Sequence, residues 1–349
     1  MCLRLFLTAL LSLARLASLA RGAEEASALL PPGARAVWDL SLAWRETTPT
    51  RERVSLNGLW RWQPATPGAD AVPTQGWGFF KVPGPWPGIT DYMQKDSQTA
   101  HVHPSWKATR LRDVTAAWYE REINVPEAWT GRRIALSAEY LNSFAAVFVD
   151  GEKAGELQFP AGELDLTAAL RPGQPHRLSL LVVALPLRGV MLSYSDSASA
   201  REVRGSVARR GLCGDVFLVC TPRQSRLTDV RLRTSVRRWE ISLQAALKEL
   251  EPSKDHRLAA RITDGDQTVK EFRSPPFQAA DLDHGQLTLT KSWQPAKLWD
   301  IHTPQHQYEL HVSLLDANDR LLDALPPVRF GFREFWIEGR DFFLNGTRL

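Results

Sequence analysis

Two histidines, His101 and His103, stand one residue apart in HVH, a spacing that puts both rings on one face of a strand and could begin a metal site. No third ligand is apparent beside them, so a polar loop is the plainer reading. His302 and His306 have the i, i+4 spacing of a helical metal pair, but Pro304 between them opposes a helix. Paired carboxylates could in principle hydrolyse a glycoside. Most of the 39 acidic residues, however, belong on solvated strand faces. Asp196, in LSYSDSASA, lies in a polar loop after an apolar strand and could hydrogen-bond a substrate hydroxyl or hold a cation; a merely solvated acid is the plainer alternative. Glycine-rich phosphate loops and the GxSxG nucleophile elbow are absent. Cys213 and Cys220 lie seven residues apart in LCGDVFLVC, which on one strand is over ~20 Å and beyond disulfide reach. Both read as small core residues. Asn345-Gly346-Thr347 is a glycosylation sequon on paper. No cofactor or metal is expected.

The elements that would position these groups are almost all strands. Helical periodicity is nearly absent, and period-2 alternation recurs. Ile134, Leu136, Ala138 and Tyr140 share one face of RRIALSAEYL, and Trp239, Ile241, Leu243 and Ala245 alternate in RRWEISLQAAL. Hairpins are predicted at Asp150-Gly151, at Asp264-Gly265, from Asp316 to Asp319, and around Gly339. Short strands with frequent turn signals predict β-sandwiches. The break at CTPRQSRLTDV divides them. The resulting plan is a leading segment at 21–49, a large sandwich at 50–222, a smaller one of immunoglobulin size at 223–332, and a final hairpin segment at 333–349.

The chain has 349 residues, enough for two or three domains, with 44% apolar and 23% charged residues. That composition excludes a wholly disordered chain. The net charge of +4 is spread among mixed signs, which argues against a nucleic-acid partner. Thirteen tryptophans, nine of them between Trp38 and Trp129, mean either a tryptophan-rich core or a surface that stacks on sugar rings. Residues 1–20 read as a signal peptide: Arg4, an apolar run from Leu5 to Ala14, and Ser18-Leu19-Ala20 before the cut. The chain is therefore expected to be secreted or periplasmic, without a membrane span. Its oligomeric state is open.

The order of segments resembles the front half of glycoside hydrolase family 2, the β-galactosidases, β-glucuronidases and β-mannosidases. VSLNGLWRWQP resembles the opening strand of that family, and KVPGPWPG its VP-x-x-W element at Val82, Pro83 and Trp86. AAWYEREINVPEAWTGRRIALSAEYLNSFAAVFVDGEKAGE is the most specific stretch, a Trp-Tyr-x-Arg strand followed by a turn, an apolar strand and a hairpin. FPAGELDLTAALRPGQPHRLSLLVV, GLCGDVFLVCTP and KLWDIHTPQHQYELHVSLLD follow in order, and FGFRE…FFLNGTRL resembles the strand pair that leads into the catalytic barrel.

The resemblance implies a jelly-roll sugar-binding domain, then an immunoglobulin-like domain, then a (β/α)8 barrel carrying two catalytic glutamates. A barrel takes about 250 residues. The acid/base glutamate follows an asparagine in this family, and none of Asn57, Asn124, Asn142, Asn318 and Asn345 precedes a glutamate. No catalytic residue is assigned. The carbohydrate substrate would be met through a barrel that this sequence lacks, and Asp196 is the nearest match to a jelly-roll acid that reaches the sugar in some members. The arginine of the family's R-D-V element is Gly214 here, with Cys213 in place of the usual aromatic residue. The expectation is the non-catalytic N-terminal portion of a family 2 glycosidase, inactive alone. The alternatives are a stand-alone carbohydrate-binding protein and a structural partner of a separately encoded barrel.

Overall fold

A computed structural model describes residues 30, 33–86, 100–184, 188–194, 200–206 and 209–349; in 188–194 and 200–206 it describes the backbone. The signal-peptide reading of residues 1–20 lies outside these residues. Among the described residues the regular elements are nearly all strands, joined by turns and a few short 3-10 turns, and the chain divides into two compact units. One comprises the described residues within 1–44, 54–130 and 134–219; the other comprises 45–53, 131–133 and 220–349.

The first unit is a jelly-roll-type sandwich. One sheet has seven strands in the order Glu152–Gln158, Phe144–Val149, Pro175–Val183, Ala116–Asn124, Gly58–Ala65, Gly78–Val82 and Ala100–His101. Facing strands include Val216–Thr221, Arg133–Ala138 and Gly162–Asp165, which are neighbours in a second sheet. Ala116–Asn124 sits at the middle of the large sheet and is buried on both faces, as the unbroken run AAWYER requires. Its register sets Tyr119 opposite Trp62 and Leu180 on one face, and Trp118 opposite Leu181 on the other.

The first face carries the main core, with the Trp62 and Phe80 rings 5.4 Å apart. The second face forms a smaller cluster, in which Trp118 lies 5.2 Å from Phe148 and Trp77 covers them. Of the nine tryptophans between Trp38 and Trp129, eight are buried and Trp44 alone is exposed, at 57%. A tryptophan-rich core therefore accounts for the composition.

The predicted hairpin at Asp150-Gly151 forms, with Val149 opposite Glu152. Both turn residues have positive φ (53° and 92°), as a two-residue turn that matches strand twist demands. Asp150 also accepts from the Arg177 amide and pairs with His176 Nδ1 at 2.7 Å, which fastens the turn to the neighbouring strand.

The second unit is the smaller, immunoglobulin-like sandwich. Arg226–Ser235, Glu240–Lys248 and Gln286–Ser292 form one sheet. Gln267–Arg273, His256–Asp264, Tyr308–Asp316 and Leu321–Ala324 form the other, with Val328–Phe330 pairing on Tyr308–Asp316. The predicted alternation is seen: Ile241, Leu243 and Ala245 are fully buried, and Trp239 packs against them from the turn. Phe332 is enclosed between Trp239, stacked at 6.2 Å, and Trp293, edge-on at 5.4 Å. The hairpins at Asp264-Gly265 and Asp316–Asp319 both form. In the latter, the Asp316 carboxylate takes the amides of Asn318 and Arg320.

Phe335–Glu338 and Asp341–Leu344 pair around Gly339 as predicted, and Thr347–Arg348 adds a third strand. Glu334, just before this sheet, accepts from the Arg237 guanidinium at 2.6 and 2.8 Å, the Arg237 amide and Ser235 Oγ. Against the upward pull of burial, these donors hold its carboxyl down at about 2 from the usual 4.5. A depressed carboxyl contributes stability above its unfolded pKa and loses it as pH falls through the folded one. The second unit should therefore lose this contribution progressively between pH 4.5 and about 2. The Glu334→Gln variant should show a shallower acid limb when denaturation midpoints are compared across that window.

Candidate functional site

The unit 1 residues that gather polar groups around a hollow are those of the leading segment and the opening strand. Arg35, Val37, Trp38, Asp39, Leu42, Ala43, Trp44, Ser55, Asn57, Gly58, Leu59 and Arg121 line a cleft of about 280 Å³. Its floor is built by the Trp-Tyr-x-Arg strand. Arg121 is 5% exposed, and its guanidinium donates to the carbonyls of Leu56 (2.8 Å), Asn57 (2.9 Å) and Leu59 (2.6 Å). It lies 5.1 Å from the Trp60 ring centre. No carboxylate partners it among the described residues, and Arg121 Nε has no acceptor. Burial pulls its pKa down to about 10.

Asn57 is fixed from both sides: its amide donates to Asp215 Oδ1 at 3.0 Å and its Oδ1 accepts from the Val216 amide. Trp38 donates from Nε1 to the Ser55 carbonyl at 2.9 Å and anchors the leading segment. Trp44 is held edge-on by Phe217 at 6.0 Å, with most of its ring in solvent. Asp39 accepts from the amide and hydroxyl of Ser41, which lower its pKa. Among these side chains the sequence had marked only the tryptophans, as a group, and Arg121 within the Trp-Tyr-x-Arg motif. The lone exposure of Trp44 has no sequence signal.

Asp196 falls between Tyr194 and Ala200 and lies outside the described residues. His101 and His103 do not share a strand. His103 caps the short 3-10 turn Pro104–Trp106, with Nδ1 accepting from the Ser105 amide at 3.1 Å. His306 bonds the Leu298 carbonyl within a turn. Among the described residues, no three His, Cys, Asp or Glu side chains converge as a metal site would need.

Cys220 is buried, as expected, but Cys213 is only half-buried; both thiols are free, and burial pushes each up to about 12. Neither is a thiolate nucleophile near neutrality. Ser225 Oγ approaches His256 Nε2 at 3.4 Å, but both are buried in the second unit and the hydroxyl also donates to the Glu249 carbonyl. Glu120 is buried against Arg61, and burial raises its pKa. This pair belongs to the sheet rather than to a cleft.

Two motif positions are explained by packing. At Gly214, where the resemblance would put arginine, an added Cβ would run into the Tyr140 amide, with Tyr140 Cβ at 2.8 Å. The Gly214→Arg substitution should therefore destabilise the first unit by about 1–3 kcal/mol rather than restore a family contact, as overpacking does. Thermal unfolding of the variant checks this. The Asn345 sequon is occupied structurally: the side chain donates to the Trp299 carbonyl at 2.8 Å and accepts from the Glu334 amide at 3.0 Å.

No family model matches the chain. Among curated proteins it is 29% identical to human β-glucuronidase over 94% of this chain and 54% of that protein. It is 25% identical to a β-galactosidase of Thermoanaerobacter pseudethanolicus over 67% of this chain and 30% of the other. Among solved structures, the β-glucuronidase of Bifidobacterium dentium complexed with coumarin-3-O-glucuronide superposes with a TM-score of 0.65 at 19% identity, over 87% of this chain and 52% of that one. The β-glucuronidase of Dictyoglomus thermophilum gives 0.60 at 18% identity, over 87% and 48%. The chain thus spans between 30% and 54% of the length of the relatives it matches. In sequence and in fold the chain is a relative of the β-glucuronidases and β-galactosidases of glycoside hydrolase family 2, over the portion of them that it covers.

Proposed function

We propose that the chain is the non-catalytic N-terminal β-sandwich portion of a secreted or periplasmic family 2 glycoside hydrolase. It supplies architecture: a wall beside the substrate and support for a catalytic barrel. The chemistry would be retaining hydrolysis of a β-glycosidic bond, which takes two carboxyls about 5–5.5 Å apart. The observation that carries this reading is the ordered series of family elements, running from VSLNGLW to FFLNGTRL and laid out as two successive sandwiches. The last sheet supports it. Phe335, Ile337 and Phe342 are 55%, 62% and 48% exposed on one face, an apolar area suited to docking on another apolar surface.

The test is turnover. Purified 21–349 should hydrolyse neither p-nitrophenyl β-glucuronide nor the β-galactoside above the buffer rate. Turnover that disappears when one of its own carboxylates is changed would overturn the reading.

A carbohydrate-binding role without catalysis is the second reading, and the cleft with its exposed Trp44 favours it. It predicts glycan binding by this chain without any partner.

A further inference from the structure

We propose that the second unit pairs edge to edge with a second copy of this chain, through the free side of Arg226–Ser235 and about a two-fold axis at Val230. This strand is the outermost of its sheet and bonds one neighbouring strand, Glu240–Lys248. It is tied down near both ends. The Leu227 amide donates to Asp323 and its carbonyl accepts from Arg51, while Thr234 Oγ1 donates to the Arg333 carbonyl and accepts from the Arg333 amide. Between these ties, among the described residues, the backbone from Thr228 to Arg233 makes no bond beyond the ladder with Glu240–Lys248. An open edge of this kind is a template for another strand.

The other edges of this sandwich are blunted. Gln267–Arg273 runs into Pro275-Pro276, Gln286–Ser292 sets Lys291 on the core side opposite Ile241, and Leu321–Ala324 is only four residues long. Proline, an inward-pointing charge and short length all oppose edge pairing. Arg226–Ser235 has ten residues and no proline, with Val230 and Leu232 half-buried against the core.

Charge selects the partner. Asp229, Arg231 and Arg233 lie on the outer face, opposite Ala246, Gln244 and Ser242. Paired strands match inner face to inner face, so the two-fold passes through a residue and not between two. At Val230 it sets Asp229 opposite Arg231 of the second copy, and Arg231 opposite Asp229 of the second copy. At Asp229 or Arg231 it would put like charges together on the axis, and at Leu232 it would set Arg231 against Arg233 twice. Opposite charges directly across a sheet stabilise the pair, and like charges destabilise it. Within one chain Asp229 and Arg231 touch at 3.2 Å with both side chains more than half exposed, a contact worth little in water and readily exchanged for the second copy's. An acidic peptide on the same edge would leave Asp229 facing like charge. The ladder runs from Thr228 to Leu232 in each copy and stops where Asp323 and Arg51 hold Leu227.

Sedimentation velocity on chain 21–349 tests this. The parent should show a monomer–dimer equilibrium within about 10–100 μM, as a short ladder implies. Asp229→Arg and Arg231→Asp each turn two attractive oppositions into repulsive ones and should weaken dimerisation at least ~10-fold. Both positions are exposed, so the variants should keep the parental circular dichroism. The double variant Asp229→Arg, Arg231→Asp should dimerise as the parent does. An equimolar mixture of the two single variants should form a heterodimer, because every arginine then meets an aspartate. The proposal is overturned if the parent does not self-associate by ~100 μM. It is also overturned if either single variant dimerises as the parent does, the result expected of association through the exposed Phe335 and Phe342 face, or if neither the double variant nor the mixture recovers. These readouts are independent of the turnover test of the hydrolase reading.

Discussion

Replacing Arg51 by alanine is expected to cost the second unit about 3–5 kcal/mol, the usual penalty for stripping one partner from a buried ion pair. Asp323 is fully buried and receives four donors. Arg51 approaches bidentately, with Nε at 2.8 Å from Oδ1 and Nη2 on Oδ2; Thr50 Oγ1 donates at 2.9 Å and the Leu227 amide at 2.8 Å. Arg51 Nη2 also reaches the Leu227 carbonyl. Without the guanidinium, the buried carboxyl group keeps only two neutral donors, Thr50 Oγ1 and the Leu227 amide.

Arg51→Lys should recover part of the loss, because an ammonium keeps the charge but not the fork. A joint Arg51→Met, Asp323→Leu exchange should recover more than the lysine, since it removes the charge that would be stranded. Hydrogen exchange of the Tyr308–Asp316 amides, which report the sheet that holds Asp323, measures all three. Equal protection in Arg51→Ala and the parent would show that the pair contributes nothing net.

Arg121→Met is expected to cost the first unit about 2–4 kcal/mol. The Asn57 and Leu59 carbonyls lose this donor, while Leu56 keeps the Trp60 indole N–H at 2.7 Å, and each buried unsatisfied group costs about 1–3 kcal/mol. Relief from burying an unpaired cation offsets part of that sum. Methionine keeps much of the packing against Trp60, so the measured loss reports mainly the hydrogen bonds. Exchange should rise first at Gly58–Ala65, whose entry turn the guanidinium organises, and denaturant midpoints give the magnitude. A variant as stable as the parent would mean that the Asn57 and Leu59 carbonyls find water instead.

These two residues mark the boundary of what could be read along the chain. Asp150-Gly151, Asp264-Gly265 and the aspartate-rich turn at 316–319 were legible because a turn is decided by adjacent residues, through positive φ and side-chain caps on nearby amides. Alternation gave the buried faces of Arg133–Ala138 and Glu240–Lys248 for the same local reason: successive side chains on a strand point to opposite sides. The all-β class followed, and the order of family elements placed the sandwiches in sequence.

Tertiary structure decided the rest. Arg51 meets a carboxylate 272 positions away, and nothing near either residue announces it. Arg121 was visible as a motif letter, but only packing shows its charge closed in among carbonyls, with no acid beside it among the described residues. Gly214 read as a missing arginine until the Tyr140 backbone proved to fill its space. Among the nine clustered tryptophans, identity is the same and environment differs; strands bury Trp60, Trp62 and Trp118, turns and connecting segments bury five more, and Trp44 stays in solvent. Backbone periodicity is written in neighbouring residues, whereas a buried charge or an open ring depends on what distant segments bring to it.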